Sequence, residues 1–195
     1  MVEIRKQKTK LRESYIEKRR NLTVEEKTDL DNQVCKKVIS SNTYKNADIV
    51  LAYMPKEDEL DITYVLEKTL SDGKRLALPN CDPETRDMDF YFVKDLSELE
   101  KGHYNILEPS ENNELYTDEK FIKENVICIV PAIVYDRKGF RIGYGGGYYD
   151  RYLSTFKGLK VGVAYFDHII NEVPKGKFDF AVDVLISERG VYAKR

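Results

Sequence analysis

Asp48-Ile49-Val50-Leu51-Ala52-Tyr53-Met54, a loop from Pro55 to Leu60, a mixed stretch from Asp61 to Ser71, Asp72-Gly73-Lys74, and Arg75-Leu76-Ala77-Leu78-Pro79 follow one another in the chain. The outer pieces are short apolar runs that read as buried strands. The middle piece predicts a helix, which Gly73 closes. Strand, helix and strand in this order form a β-α-β unit, and its crossover implies parallel pairing.

Outward from that unit, the first ~40 residues predict two helices. Ile4, Leu11 and Tyr15 share one side of the first, and Asn21-Leu22 ends it. Thr23-Val24-Glu25-Glu26 is a capping box for the second, whose apolar stripe is Leu30, Val34 and Val38. Downstream, Asn80 to Asp87 is turn-rich and Met88 to Val93 reads as a strand. Leu96 to Lys123 is an irregular excursion over the surface. Further strands are expected at Val126 to Tyr135, Lys160 to Tyr165 and Ala181 to Ile186, with a helix from Tyr148 to Phe156. The expected architecture is one α/β domain over residues 1–195, a mostly parallel central sheet flanked by helices, with an N-terminal helical pair.

Composition narrows the function classes. A chain of 195 residues is an ordinary size for a single α/β core. Its net charge of −2, with basic and acidic residues interleaved, supplies no field for nucleic acid or anionic membrane. The longest apolar run is about half of the ~20 residues that span a bilayer, and Pro131 interrupts it. The Lys- and Glu-rich start lacks the apolar region of a secretory signal. Cys35, Cys81 and Cys128 suit neither a disulfide framework nor a zinc site, and are expected to be buried free thiols in a reducing cytoplasm.

Between Arg141 and Asp150 lies Arg141-Ile142-Gly143-Tyr144-Gly145-Gly146-Gly147-Tyr148-Tyr149-Asp150, with four glycines in five positions. Glycines between a buried strand and a helix N-terminus let backbone N–H groups approach an anion, with help from the helix dipole. The stretch is expected to hold phosphate. It is not a dinucleotide fingerprint, because position 148 is Tyr, and no Gly-Lys-Ser/Thr makes it a P-loop. Arg141 is placed to donate a bidentate fork to phosphate oxygens.

Longer motifs carry a family resemblance. Val130-Pro131-Ala132 runs into Tyr135-Asp136, and then comes Gly139-Phe140-Arg141-Ile142-Gly143-Tyr144-Gly145-Gly146-Gly147-Tyr148-Tyr149-Asp150-Arg151-Tyr152-Leu153. Lys8-Thr9-Lys10-Leu11-Arg12, Glu59-Leu60-Asp61-Ile62-Thr63, Gly102 with Ile106-Leu107-Glu108-Pro109, and Asp179 with Asp183 complete the set in order. Together they resemble the 5-formyltetrahydrofolate cyclo-ligase family, also called methenyltetrahydrofolate synthetase. Two positions depart from its pattern: His168 stands where Gln is common, and Phe178 where His often precedes the first acidic residue.

The resemblance implies ATP- and Mg²⁺-dependent cyclisation of 5-formyltetrahydrofolate to 5,10-methenyltetrahydrofolate, with release of ADP and phosphate. It assigns Arg141 and Asp150 to the chemistry. Lys8, Arg12, Arg141, Gly143, Gly145, Gly146, Gly147, Tyr148 and Tyr149 are assigned to ATP. Met54, Glu59, Tyr144, Gly145, Gly146, Gly147 and Tyr148 are assigned to the folate. Asp150 and Asp179 would hold Mg²⁺, with Asp183 a weaker candidate. Without the resemblance, Lys8 and Arg12 read as a solvated helix face. Two cations at this spacing disfavour each other by ~0.2–0.5 kcal/mol unless an anion lies between them. Small-molecule partners, a monomer and a cytoplasmic setting are expected. A nucleotide-binding regulatory module, or a sugar-phosphate isomerase or acyl-CoA transferase on a related scaffold, stays open, and ATP-dependent turnover of folate separates these readings.

Overall fold

In the computed structural model, which describes residues 2–103 and 106–193, seven strands build the central sheet. Residues 1, 104, 105, 194 and 195 of the expected domain span lie outside the described residues. The N-terminal half contains α1 (Val2–Arg20), α2 (Val24–Ser40), α3 (Asn42–Lys45), β1 (Ile49–Leu51), α4 (Thr63–Ser71), β2 (Arg75–Cys81) and β3 (Met88–Val93). Two short strands, β4 (Glu100–Lys101) and β5 (Leu107–Glu108), punctuate the surface excursion. The C-terminal half contains β6 (Val126–Val130), β7 (Val134–Asp136), β8 (Arg141–Ile142), α5 (Tyr148–Thr155), β9 (Leu159–Val163), β10 (Ile169–Ile170), β11 (Val184–Ser187) and β12 (Gly190–Ala193).

The sheet order is β12-β11-β9-β6-β1-β2-β3. Its inner pairs are parallel, and the edge strands β3 and β12 are antiparallel to their neighbours. The expected β-α-β unit is β1-α4-β2. Strand periodicity divides the core between two faces. Val50, Ile129 and Val163 pack with Val34, Val38, Val65 and Leu66 of α2 and α4. Ile49, Leu51, Cys128 and Val130 point the other way, towards Leu153 and Phe156 at α5. Helix α2 starts at the expected box: the Glu26 N–H donates to Thr23 Oγ1 at 3.2 Å, and the Thr23 N–H donates to Glu26 Oε2 at 2.8 Å. Such a cap is worth about 1 kcal/mol.

Two expectations are corrected. The apolar run from Val126 to Tyr135 is two strands in two sheets. Proline has no N–H to continue a ladder, so β6 stops at Val130 and Pro131 turns the chain. Strand β7 then joins a second sheet, ordered β10-β7-β8. At its hairpin Gly139 has φ +84°, and a Cβ there would sit 2.6 Å from the Val182 carbonyl oxygen. The two N-terminal helices form as expected and cover different cores. Leu11, Tyr15 and Ile16 of α1 pack on Ile133, Val134 and Ile142 around the small sheet, whereas α2 covers the large one. The other correction concerns the three cysteines: they are free, but only Cys35 and Cys128 are buried, and Cys81 is half-buried. Among the described residues no helix is long and apolar enough to cross a membrane.

Candidate functional site

Beyond the C-terminal ends of β1, β2 and β6 lies a cleft of about 730 Å³, where an open α/β sheet holds its ligands. The chain leaves β1 through Tyr53 and Met54 and β6 through Pro131, Pro79 and Cys81 stand at the C-terminal end of β2, and all five residues line the cleft. Helix α1 contributes Arg5, Lys8 and Arg12 from one face, because residues three and four apart stack along a helix. The glycine loop and the first turn of α5 close it. Every site residue expected from the sequence, except the weaker metal candidate Asp183, lines this one cleft.

The glycines divide by role. Gly145 and Gly147 have φ +103° and +79°, the left-handed region that side chains disfavour. A Cβ on Gly146 would meet the Tyr148 ring at 2.8 Å, whereas one on Gly143 would project into open space. Gly147 is the N-cap of α5 and supplies no capping side chain, so the first-turn N–H groups gain no side-chain acceptor. Arg12 reaches across from α1, where its Nε donates to the Gly143 carbonyl at 2.8 Å.

The charged groups beside the loop are already paired. Lys8 Nζ lies 2.5 Å from Asp179 Oδ2, which also accepts the Gly176 N–H at 2.6 Å. Arg141 does not stand free at the loop's mouth. It is buried on β8, with Nη2 3.0 Å from Asp150 Oδ1 and Nη1 donating to the Phe180 carbonyl at 3.0 Å. Asp150 and Asp179 both face the cleft. Among the described residues no three His, Cys, Asp or Glu side chains gather as a metal cage. Asp183 is set apart: it accepts the Lys160 N–H at 2.9 Å and does not line the cleft.

A second group of residues differs in character. Met54, Pro79, Met88, Ile106 and Leu107 form apolar walls, and two carboxylates are buried among them. Glu59 Oε2 accepts the Lys56 N–H at 3.0 Å, and Glu108 Oε2 accepts the His103 N–H at 3.2 Å. Burial pushes both carboxyls above their usual range. Gly102 lets Glu108 fold in, since a Cβ there would overlap its carboxylate at 2.0 Å. Burial and the nearby Glu108 raise the Cys81 thiol to about 12, so it is no nucleophile. Glu108, Arg5, Cys81 and Met88 were not assigned to the site from the sequence, although Gly102 and Glu108 both sit in the motif segment of the excursion.

The two departing positions lie elsewhere. His168 is buried against Tyr15 and Tyr165 with Nδ1 2.8 Å from the Ile133 carbonyl oxygen, and burial lowers it to about 4. Phe178 is exposed beside Asp179. Buried Arg19, also unremarked in the sequence, ties α1 to the cleft's rear: Nη1 donates to the Asp58 carbonyl at 2.7 Å and Nη2 to that of Ala132 at 3.2 Å.

Comparison with known proteins points one way. The model of the 5-formyltetrahydrofolate cyclo-ligase family matches residues 4–188. Mouse 5-formyltetrahydrofolate cyclo-ligase is 24% identical, covering 96% of each chain. The Escherichia coli enzyme of that name is 26% identical over 90% of this chain and 97% of its own. The structure of Aquifex aeolicus 5,10-methenyltetrahydrofolate synthetase superposes with a TM-score of 0.83 at 34% identity, covering 96% of this chain and 93% of that one. A Mycoplasma pneumoniae synthetase, at 21% identity and a TM-score of 0.72, shares the fold.

Proposed function

Because the chain belongs to the 5-formyltetrahydrofolate cyclo-ligase family, we propose that it uses Mg-ATP to close 5-formyltetrahydrofolate to 5,10-methenyltetrahydrofolate. One observation carries the proposal: a glycine loop with cations and a wall of buried carboxylates share a single cleft. The first suits phosphate, the second a ring bearing N–H donors, and the chemistry requires that they meet.

An N-formyl carbonyl is amide-like, a weak electrophile with no good leaving group. The formyl oxygen attacks the γ-phosphorus and ADP departs. N10 then adds to the activated carbon, phosphate leaves with the former formyl oxygen, and N10 loses its proton. The protein's work is alignment and charge stabilisation, without a protein nucleophile. Arg12 and Lys8 supply positive charge to the triphosphate, and the N–H groups of the glycine loop and α5 supply donors. Asp150 and Asp179 are the residues that would hold Mg²⁺; paired hard carboxylates beside phosphate fit a metal that takes one or two such ligands. Bound there, it would neutralise phosphate charge. Arg141 holds Asp150 in place. Met54, Tyr144 and Glu59 serve the pterin, with Glu59 accepting its N–H groups.

Purified protein, 5-formyltetrahydrofolate and Mg-ATP should together generate the near-ultraviolet absorbance of the methenyl product, and omission of any one should abolish it. Product formed equally well without ATP would overturn the proposal. The same reading includes a monomer, supported by a cleft lined from one chain and testable by light scattering. It also includes action on small molecules in the cytoplasm, supported by three free thiols.

A further inference from the structure

Tyr148 and Tyr149 are neighbours in the first turn of α5 but meet different surroundings. Successive helical residues point about 100° apart, so the fold turns one outward and one inward. Tyr148 places its hydroxyl 3.4 Å from the Asp82 carbonyl at the β2–β3 turn. Tyr149 packs its ring against both faces' cores, yet its hydroxyl is buried without a hydrogen-bond partner. Only Arg19 Nε shares that condition among the described residues, and the other nitrogens of that guanidinium are satisfied by carbonyls. A buried phenol that bonds to nothing costs stability, and native proteins seldom retain one without use.

The position of this hydroxyl suggests the use. Tyr149 lines the cleft. The Arg141 guanidinium on the glycine-loop side lies 6.0 Å from the centre of its ring, and Glu59 and Cys81 of the carboxylate-lined side line the same cleft. It stands where the two halves meet, which is where a formyl group must face phosphate. A phenol is protonated near neutral pH and serves as a donor. Glu59, an acceptor, suits pterin N–H groups, and what the substrate presents between pterin and phosphate is the formyl oxygen, an acceptor.

Resting on the cyclo-ligase reading, we infer that the Tyr149 hydroxyl donates a hydrogen bond to the N-formyl oxygen of the folate, leaving that oxygen's other lone pair aimed at the γ-phosphorus. This moves the hydroxyl of Tyr149 from the nucleotide to the formyl group. No bond is made or broken by the phenol, which is a positioning donor.

The test compares the parent with Tyr149→Phe in binding 5-formyltetrahydrofolate, tetrahydrofolate lacking the formyl group, and ADP, alongside turnover and melting temperature. The variant should fold with an unchanged or higher melting temperature, because an unsatisfied polar atom is removed. It should bind the formyl-folate roughly 3- to 10-fold more weakly, the scale of one neutral hydrogen bond, with tetrahydrofolate and ADP unaffected. Its kcat should fall on the order of tenfold or more. Equal weakening for both folates, a change confined to ADP, no change at all, or a lower melting temperature would each overturn the inference. A parent protein that neither binds nor converts 5-formyltetrahydrofolate would instead overturn the cyclo-ligase reading, and the inference with it.

Discussion

Beside the glycine loop each cleft-lining aspartate already has its cation: Asp179 holds Lys8 and Asp150 holds Arg141. Across the cleft, Glu59 and Glu108 are buried with backbone N–H donors and no ion pair among the described residues. Paired charges cost the fold less than unpaired ones, because each partner offsets part of the other's lost hydration, and they can exchange partners when phosphate and metal arrive. Desolvated carboxylates with one backbone donor each keep part of their desolvation cost, which a ligand with N–H donors would reduce. The first side is therefore arranged in advance, while the second is completed by what binds. The difference suits a substrate with a fixed anion at one end and a planar donor face at the other.

The largest effect should come from breaking the paired side at Asp150. Asp150→Asn keeps the shape but removes the charge that serves both Arg141 and a divalent cation. Turnover should fall on the order of 10²–10³, with partial recovery at raised Mg²⁺. A folded variant with near-parental turnover and an unchanged Mg²⁺ requirement would falsify the metal assignment. Next is Gly145→Val. A β-branched residue at φ +103° is strained, and its Cβ would also lie 3.4 Å from Arg12 Nη2. Isothermal titration should show at least about tenfold weaker binding of both ATP and folate; intact ATP affinity in the folded variant would make the loop a plain turn.

Glu59→Gln probes the opposite side. It should raise the folate KM about tenfold, the worth of a charge-assisted hydrogen bond, with little change for ATP. Stability adds a pH signature. Burial raises this carboxyl, so the folded protein keeps the proton to higher pH than the unfolded chain does. The resulting destabilisation is absent in acid, grows as pH climbs from the unfolded to the folded value, and is complete above it. The variant should therefore melt higher than the parent at mildly alkaline pH and lose that advantage in acid. An advantage at every pH would show that desolvation is not the cause. The smallest effect is expected from Lys8→Ala: an ATP KM raised several-fold with the folate KM unchanged, on the scale of one partly exposed ion pair. Equal shifts in both constants would erase the distinction between the two sides.

Much of the fold was legible because its signals are local. The capping box at Thr23, the crossover from β1 to β2 and the helix after Gly147 each involve a few consecutive residues and a known backbone preference. Pro131 was visible as a break, but its consequence was not. The second sheet needs β10, whose pairing segment is only Ile169–Ile170 and carries no periodicity of its own. Arg141 looked like a loop residue for the same reason. Its burial follows from the β7–β8 hairpin, which exists only once that sheet forms. Glu108 lay in a motif segment, yet nothing local said that the excursion folds back to line the cleft.

The sequence by itself determined the α/β class, the order of most elements, the phosphate-suited loop and the family, since these depend on periodicity, glycine and proline placement, and an ordered motif. Which charges are neutralised, which of two adjacent tyrosine hydroxyls is buried, and which carboxylates are desolvated were decided by tertiary structure alone. Lys8 and Asp179 are 171 residues apart in the chain and become an ion pair only in the folded protein. Hydration and Coulomb energies depend on distance and burial in space, and neither quantity exists for a residue until distant segments have packed around it.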